Sequence, residues 1–288
     1  MMPRLFAVDM DGTLLTDTKT FDAELLDSVL TRIQETQGYF VVATGNQYPK
    51  SLEYMADFRE RGIYFIAENG AYIADGKQDL RISGFSEKTS AEVLTVLEDF
   101  PEVGVVISSH RGAFIPMERA ETISRIVQEH LDYLGADIPR DIDYLSFINY
   151  FYPGATAISD FKELEGNKVV KFALQTHRAQ TADIEARLLE RLPEAVVPVQ
   201  SGFGSIDLMP RGINKGTALA WLCKELGVEA KEVMAFGDAS NDLEMLNFAG
   251  TGVAMGNAIS AVKSAADVVI GQNKDGAVLT YIAQTIKK

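Results

Sequence analysis

The chain contains a single cysteine among its 288 residues, so no disulfide can close within it. That residue, Cys223, sits in the apolar stretch AWLCKELG and reads as packing. Runs of lysine and arginine are also missing. With 27 Lys and Arg against 41 Asp and Glu, the formal net charge is −14. A chain this acidic repels nucleic acid and anionic membranes unless it carries a local basic patch, so neither is an expected partner. No apolar run approaches the ~18 residues of a membrane span. The N-terminal MMPRLFAVDMDG is interrupted by Asp9 and Asp11 too early to be a signal peptide. Together these absences imply a cytoplasmic protein. Internal repeats, low-complexity segments and long linkers are absent as well, and nothing in the sequence speaks to oligomeric state.

What is present is an alternation of short apolar runs with amphipathic stretches. Hydrophobic residues make up 47% of the chain, enough for a sizeable core. RLFAV, YFVVAT and YFIAE read as buried parallel strands. Between the first two, Asp22 is placed to cap a helix that presents Leu25, Leu26, Val29, Leu30 and Ile33 on one face, with Gly38 as its stop. A further helix is expected near Pro49 to Arg59. The C-terminal part repeats the grammar: KGTALAWLCKEL, NDLEMLNFA, ISAVKSAA and GAVLTYIAQTIKK read as helices between the short strands EVMAF, GVAM and DVVI. The middle differs. VGVVISS and GAFIPM, joined through His110, Arg111 and Gly112, suggest a hairpin. Around them lie two amphipathic helices, the aromatic run YLSFINYFY, the strand KVVKFALQT and the helix TADIEARLLERL. The expected architecture is α/β: a Rossmann-like doubly wound parallel-sheet core formed by residues 1–82 and 195–288, with an inserted α+β domain at 83–194. Gly84 and Gly202–Gly204 are the candidate hinges.

Acidic residues mark the ends of two strands of this core. Asp9 and Asp11 follow the first in the turn DMDGT, and Asp238 and Asp242 follow EVMAF in GDASND. A doubly wound sheet opens its ligand crevice at the carboxyl ends of its strands. Four carboxylates meeting there repel one another unless a hard cation sits among them, which points to Mg²⁺ and phosphate chemistry. Phosphoryl transfer to a carboxylate needs one Asp as nucleophile and a second group to protonate the leaving oxygen and then activate water. Two Asp two residues apart, with Gly12 permitting the turn, can divide those roles; an Asp-rich turn is the alternative. After the second strand, Thr44 can offer a hydroxyl to a phosphate oxygen and Gly45 lets backbone N–H groups approach. A strand-end or capping turn would use the same residues. Lys215 opens a helix, where its charge opposes the helix dipole. Such a misplaced charge suits a phosphate site, although a lone lysine is ordinarily at the surface. Two roles fit Asn241 equally: a phosphate contact, or an N-x-x-E capping box with Glu244. Asp242 lies one helical turn beyond Asp238 and is placed to support a metal-bound water or Lys215.

In this order, the strand-DxD, strand-Thr-Gly, Lys and strand-GDxxND signals resemble the four motifs of the haloacid dehalogenase-like superfamily of phosphohydrolases. ENGAYI after the third strand and the closing GTGVAMGNA look like its Cof-like subfamily, which carries a large α/β cap between the second and third motifs. The resemblance implies that Asp9 is the nucleophile and Asp11 the general acid/base. Thr44 and Lys215 would orient the phosphoryl group, with Met10, Gly45 and Asn241 completing the substrate contacts. Mg²⁺ would be held by the Asp9 carboxylate, the Asp11 main-chain carbonyl and Asp238, supported by Asp242. The implied activity is hydrolysis of a small phosphorylated metabolite, a sugar phosphate or similar, through an aspartyl-phosphate. The second motif often reads Thr-Gly-Arg, and Asn46 stands here in place of the Arg. Arg111 and Arg211 are candidates to replace it, with surface placement as the alternative for both. His110, Tyr150, Tyr152, His177 and Arg178 are candidate pocket residues of the inserted domain. A phosphosugar mutase and a non-catalytic phosphate-metabolite-binding regulator are the competing functions; the proton-carrying role open to Asp11 argues against the regulator.

Overall fold

The computed structural model describes residues 2–134, 148–149, 152–202 and 204–286, and divides them between two compact units. The first comprises Met1–Arg81 and Ile213–Lys288; the second is the insertion Ile82–Gly212.

In the first unit, β1 (Leu5–Asp9), β2 (Tyr39–Ala43), β3 (Tyr64–Ala67), β4 (Tyr72–Ala74), β5 (Asp79–Ile82), β12 (Val233–Gly237), β13 (Thr251–Ala254) and β14 (Val268–Val269) form one sheet in the order β14-β13-β12-β1-β2-β3-β4-β5. Pairing is parallel from β14 to β3 and turns antiparallel at β4. Every residue of β1 is buried, as a central strand covered on both faces requires. The register sets Asp9 opposite Ala43 and Val8 opposite Phe236, so the carboxyl ends of β1, β2 and β12 lie side by side. Successive strands leave β1 in opposite directions, which opens the crevice at that edge.

Helix α1 (Ala23–Glu35) forms as its sequence pattern predicts. Asp22 accepts a hydrogen bond from the Leu25 amide at 2.9 Å, and Leu26, Val29, Leu30 and Ile33 are buried. Full burial contributes roughly 1.5–3 kcal/mol for each such side chain. The stop is different. The left-handed residue is Gln37, while Gly38 is required because a Cβ there would meet the Arg4 carbonyl at 2.8 Å. Helix α2 is short (Tyr48–Tyr54) and passes into a 3₁₀ turn at Ala56–Arg61.

The second unit holds α3 (Glu87–Glu98), α4 (Ala120–Leu134), α5 (Thr181–Leu189) and a sheet of β6 (Gly104–Ser109), β7 (Gly112–Pro116), β8 (Thr156–Ile158), β9 (Val169–Gln175), β10 (Val196–Gly202) and β11 (Ser205–Pro210), ordered β10-β11-β9-β6-β7-β8. The expected hairpin at His110–Gly112 is present, with Ser109 opposite Gly112. The aromatic run falls mostly outside the described residues, and Tyr150 with it.

Two expectations need correction. The insertion does not end at 194. The stretch VVPVQSG…SIDLMP forms the antiparallel hairpin β10–β11, and β11 pairs with β9, so the chain returns to the first unit only at Ile213. Of the two expected crossings, the one near Gly84 lies close to the observed boundary and the one at Gly202–Gly204 does not. Gly202 and Gly204 sit at the β10–β11 turn, and Gly84 packs where a Cβ would strike the Val169 carbonyl. The crossings are at Arg81–Ile82 and Gly212–Ile213. Among the described residues, no helix is long and apolar enough to cross a membrane.

Candidate active site

The remaining helices of the first unit are α6 (Lys215–Leu226), α7 (Leu243–Phe248), α8 (Ser260–Ala265) and α9 (Ala277–Ile286). The ends of β1, β2 and β12 and the starts of α6 and α7 carry the predicted site. Asp9 is 5% exposed and Lys215 1%. The Lys215 ammonium donates to Asp9 Oδ1 at 2.6 Å and to Asp242 Oδ1 at 2.7 Å. Lys215 is the first residue of α6, where Asn214 and Thr217 form a reciprocal capping box; the cap fixes the helix start that aims the lysine inward. A buried ammonium at a helix N-terminus is doubly unfavourable by itself. Burial opposes its charge, but the Asp242 and Asp9 carboxylates overcome that and hold its pKa above the usual lysine range.

Asp242 has no oxygen to spare. Oδ1 takes Lys215, and Oδ2 accepts the Asp238 amide at 2.9 Å and the Ala239 amide at 3.0 Å. It is therefore the capping residue of its turn, and the Asn241–Glu244 capping box does not form. Asn241 turns its side-chain amide to Asn69 instead. Asp238 is positioned by Thr13, whose hydroxyl donates to Asp238 Oδ1 at 3.0 Å. Gly12 has φ +78°, and its missing Cβ is the space that the Asp238 carboxylate fills.

Asp9, Asp238 and Asp242 each bring a carboxylate oxygen within 4.8 Å of the others. Among the described residues, the Lys215 ammonium is the one cation paired with this cluster. Burial first, then the charges of Asp242 and Asp238, push the Asp9 carboxyl well above the usual carboxylate range, against the pull of Lys215. Burial, and then Asp242, raise Asp238 to about 6. The donor set fits a hard divalent cation: excess negative charge, oxygen ligands, and an acidic pair, Asp9 and Asp238, each with one oxygen unclaimed by the hydrogen bonds that hold it. Asp242 belongs to the cluster by distance but is occupied as a support.

Asp11 points elsewhere. Its Oδ2 accepts from Asn46 Nδ2 at 2.6 Å, and its Oδ1 is paired with the Lys19 ammonium. Asn46 thus contacts the residue expected to carry the proton, a relation invisible in sequence. Lys19 was missed altogether. It is aimed by a left-handed backbone, φ 60°, at the tip of a turn whose Thr16, Thr18 and Thr20 hydroxyls bond to one another. Thr44 is 2% exposed; its hydroxyl accepts the Asn46 amide at 3.0 Å, which leaves its own proton to offer. Met10 is fully buried in the core, so only its main chain can serve the site. Asn257, from GVAMGNA, ties Gly12 to the C-terminal part by donating to its carbonyl at 2.8 Å.

Of the arginines and pocket candidates in the described part of the insertion, three side chains are engaged within the second unit. Arg211 donates to the Glu194 carbonyl, His110 Nδ1 accepts the Lys168 amide at 3.1 Å, and His177 pairs with Glu129. Arg111 and Arg178 are exposed, and the Tyr152 amide donates to the Ile148 carbonyl at 2.7 Å.

A family model described as haloacid dehalogenase-like hydrolase matches residues 6–282. The chain belongs to this family. Within it, the protein is a Cof-like phosphohydrolase, a phosphoric monoester hydrolase by its enzyme class. It is 31% identical over 290 residues to the 5-amino-6-(5-phospho-D-ribitylamino)uracil phosphatase YbjI of Escherichia coli, covering 100% of this chain and 97% of that one. It is likewise 31% identical over 289 residues to an HMP-PP phosphatase of Serratia proteamaculans, covering 99% and 96%. Among solved structures, SMU.1108c from Streptococcus mutans aligns with a TM-score of 0.84 and 28% identity, over 99% of this chain and 100% of that one.

Proposed function

We propose that this phosphohydrolase is Mg²⁺-dependent and cleaves a small phosphomonoester, a sugar phosphate or a phosphorylated metabolite of similar size, through an aspartyl-phosphate on Asp9. The observation that carries the reading is the division of labour at Lys215. Its ammonium takes Asp9 Oδ1 and holds the carboxylate in place for attack, while Asp242 fixes the lysine from behind.

Asp9 attacks phosphorus, and the bond from phosphorus to the leaving oxygen breaks. Asp11, protonated, gives its proton to that oxygen, so the alcohol departs neutral. As a carboxylate, Asp11 then takes a proton from water, whose oxygen attacks the phosphorus; the bond to Asp9 breaks and inorganic phosphate leaves. Thr44, the Gly45 backbone and Asn241 hold phosphoryl oxygens, and Lys215 offsets their charge. Mg²⁺ would be held by Asp9, Asp238 and the Asp11 carbonyl, and it supplies positive charge to the transferring group. The insertion Ile82–Gly212 serves in this reading as the cap that selects the leaving group and excludes water. The names of the two curated relatives make 5-amino-6-(5-phospho-D-ribitylamino)uracil and HMP-PP the first substrates to try.

The test is phosphate release from a panel of phosphate esters with and without Mg²⁺. Asp9→Asn should abolish release with the fold intact by circular dichroism. Turnover near wild type in that variant would sink the assignment. Isomerised sugar in place of free phosphate would make the protein a mutase.

A further inference from the structure

Three consecutive residues after β3, Glu68, Asn69 and Gly70, all have left-handed backbone, with φ of 49°, 53° and 102°. For Glu68 this conformation is strained; Asn tolerates it better. All three are buried. A strained, buried turn persists only where its surroundings over-determine it, and such turns cluster at functional sites.

The surroundings here are the loops of the active site. The Asn69 amide donates to the Thr44 carbonyl and the Glu68 amide to the Asn46 carbonyl, both at 3.0 Å. Gly70 lies so close to the main chain of Asn214, which caps the Lys215 helix, that a Cβ would meet its carbonyl carbon at 2.6 Å. The Asn69 side-chain oxygen accepts from Asn241 Nδ2 at 2.9 Å, and a Cβ on Gly45 would sit 3.0 Å from that same oxygen.

We propose that Asn69 is a positioning residue that selects which end of the Asn241 carboxamide faces the Thr44–Gly45 loop. A carboxamide is nearly symmetric in shape but not in polarity: one end donates two N–H bonds, the other only accepts. Asn69 presents an acceptor. The NH₂ end of Asn241 is therefore drawn to the Asn69 and Gly45 side, and its second N–H is kept for an anion held over that loop. With the amide reversed, a carbonyl oxygen would face the phosphate and repel it. The inference rests on the phosphatase reading above, because it assigns Asn69 a part in binding the transferring phosphoryl group.

The test uses the full chain and separates side chain from backbone. Asn69→Gly keeps the left-handed turn and removes the amide. Expected is a fall in kcat/KM of about tenfold or more, in the direction seen when one preorganised donor is lost, with the melting temperature near wild type and weaker inhibition by inorganic phosphate. A double-mutant cycle with Asn241→Ala is decisive. If Asn69 acts through Asn241, adding Asn69→Gly to Asn241→Ala changes kcat/KM no further. Multiplying losses, or an Asn69→Gly enzyme as active as wild type, overturns the proposal. Failure of the phosphatase reading shows separately, as an Asp9→Asn enzyme that still turns over.

Discussion

Replacing Lys215 by Met removes an ammonium with no exposed surface and leaves Asp9 and Asp242 without their shared cation. Chain length is nearly kept, so packing changes little. Each contact, at 2.6 and 2.7 Å, represents ~6 kcal/mol of Coulomb attraction at an effective dielectric of about 20. Much of that offsets the desolvation of the three charges. Breaking a buried pair by removing one partner has a net cost of about 3–5 kcal/mol. Trp221, the sole tryptophan, lies on α6 and packs on the core of the first unit, so its fluorescence in urea follows the unfolding of that unit. With an m-value of about 2 kcal/mol/M, the metal-free midpoint should fall by about 2 M.

The loss must also depend on pH, and its sign follows from Asp9. Burial and the neighbouring carboxylates already raise its pKa, and without Lys215 it rises further. A carboxyl whose folded pKa exceeds its unfolded value supports the fold at low pH and loses that contribution as pH rises through the folded pKa. The deficit of the variant should therefore be larger near pH 8 than near pH 5. A deficit under ~1 kcal/mol, or one equal at both pH values, would refute the reasoning, because a packing defect has no reason to titrate.

Three further outcomes are expected. Gly12→Ala forces a Cβ into the Asp238 carboxylate and a side chain onto φ +78°, so calorimetric Mg²⁺ affinity and turnover should both collapse; wild-type affinity would contradict the metal assignment. Lys19→Ala removes a half-exposed partner of Asp11, so stability should change by no more than ~0.5 kcal/mol while kcat falls severalfold, read from urea curves and steady-state rates; an unchanged kcat would leave Lys19 without a role in catalysis. Excess Mg²⁺ should raise the melting temperature more near pH 8 than near pH 5, since Asp238, raised to about 6, must lose its proton to take a cation; a pH-independent increment would place the ion elsewhere.

Local rules carried the sequence a long way. β1, β2, β3 and β12 are apolar runs because both faces of a central parallel strand are buried, and such runs announce themselves. Asp22 and the 3.6-residue stripe behind it specify α1. Asp9 and Asp238 follow strand ends directly, so their convergence could be inferred from the crevice rule before any coordinates. The hairpin β10–β11 was missed although its alternation and Gly-rich turn are visible in SGFGS. Which sheet it joins is decided by the pairing of β11 with β9, a long-range choice.

Most of the functional details not legible from sequence are contacts between distant segments. Lys215 looks like a surface lysine until Asp9, 206 residues away, and Asp242, 27 away, close around it. Asn46 looks like a lost arginine until its amide is seen on Asp11. Asn241 looks like a helix cap until Asn69 takes its side chain and Asp242 takes the capping role. Sequence periodicity reports which face of an element is buried, since that is settled among near neighbours. It is silent on which polar groups share the space at the strand ends, because that depends on how the whole sheet is ordered and on the cost of leaving any one of those buried groups without a partner.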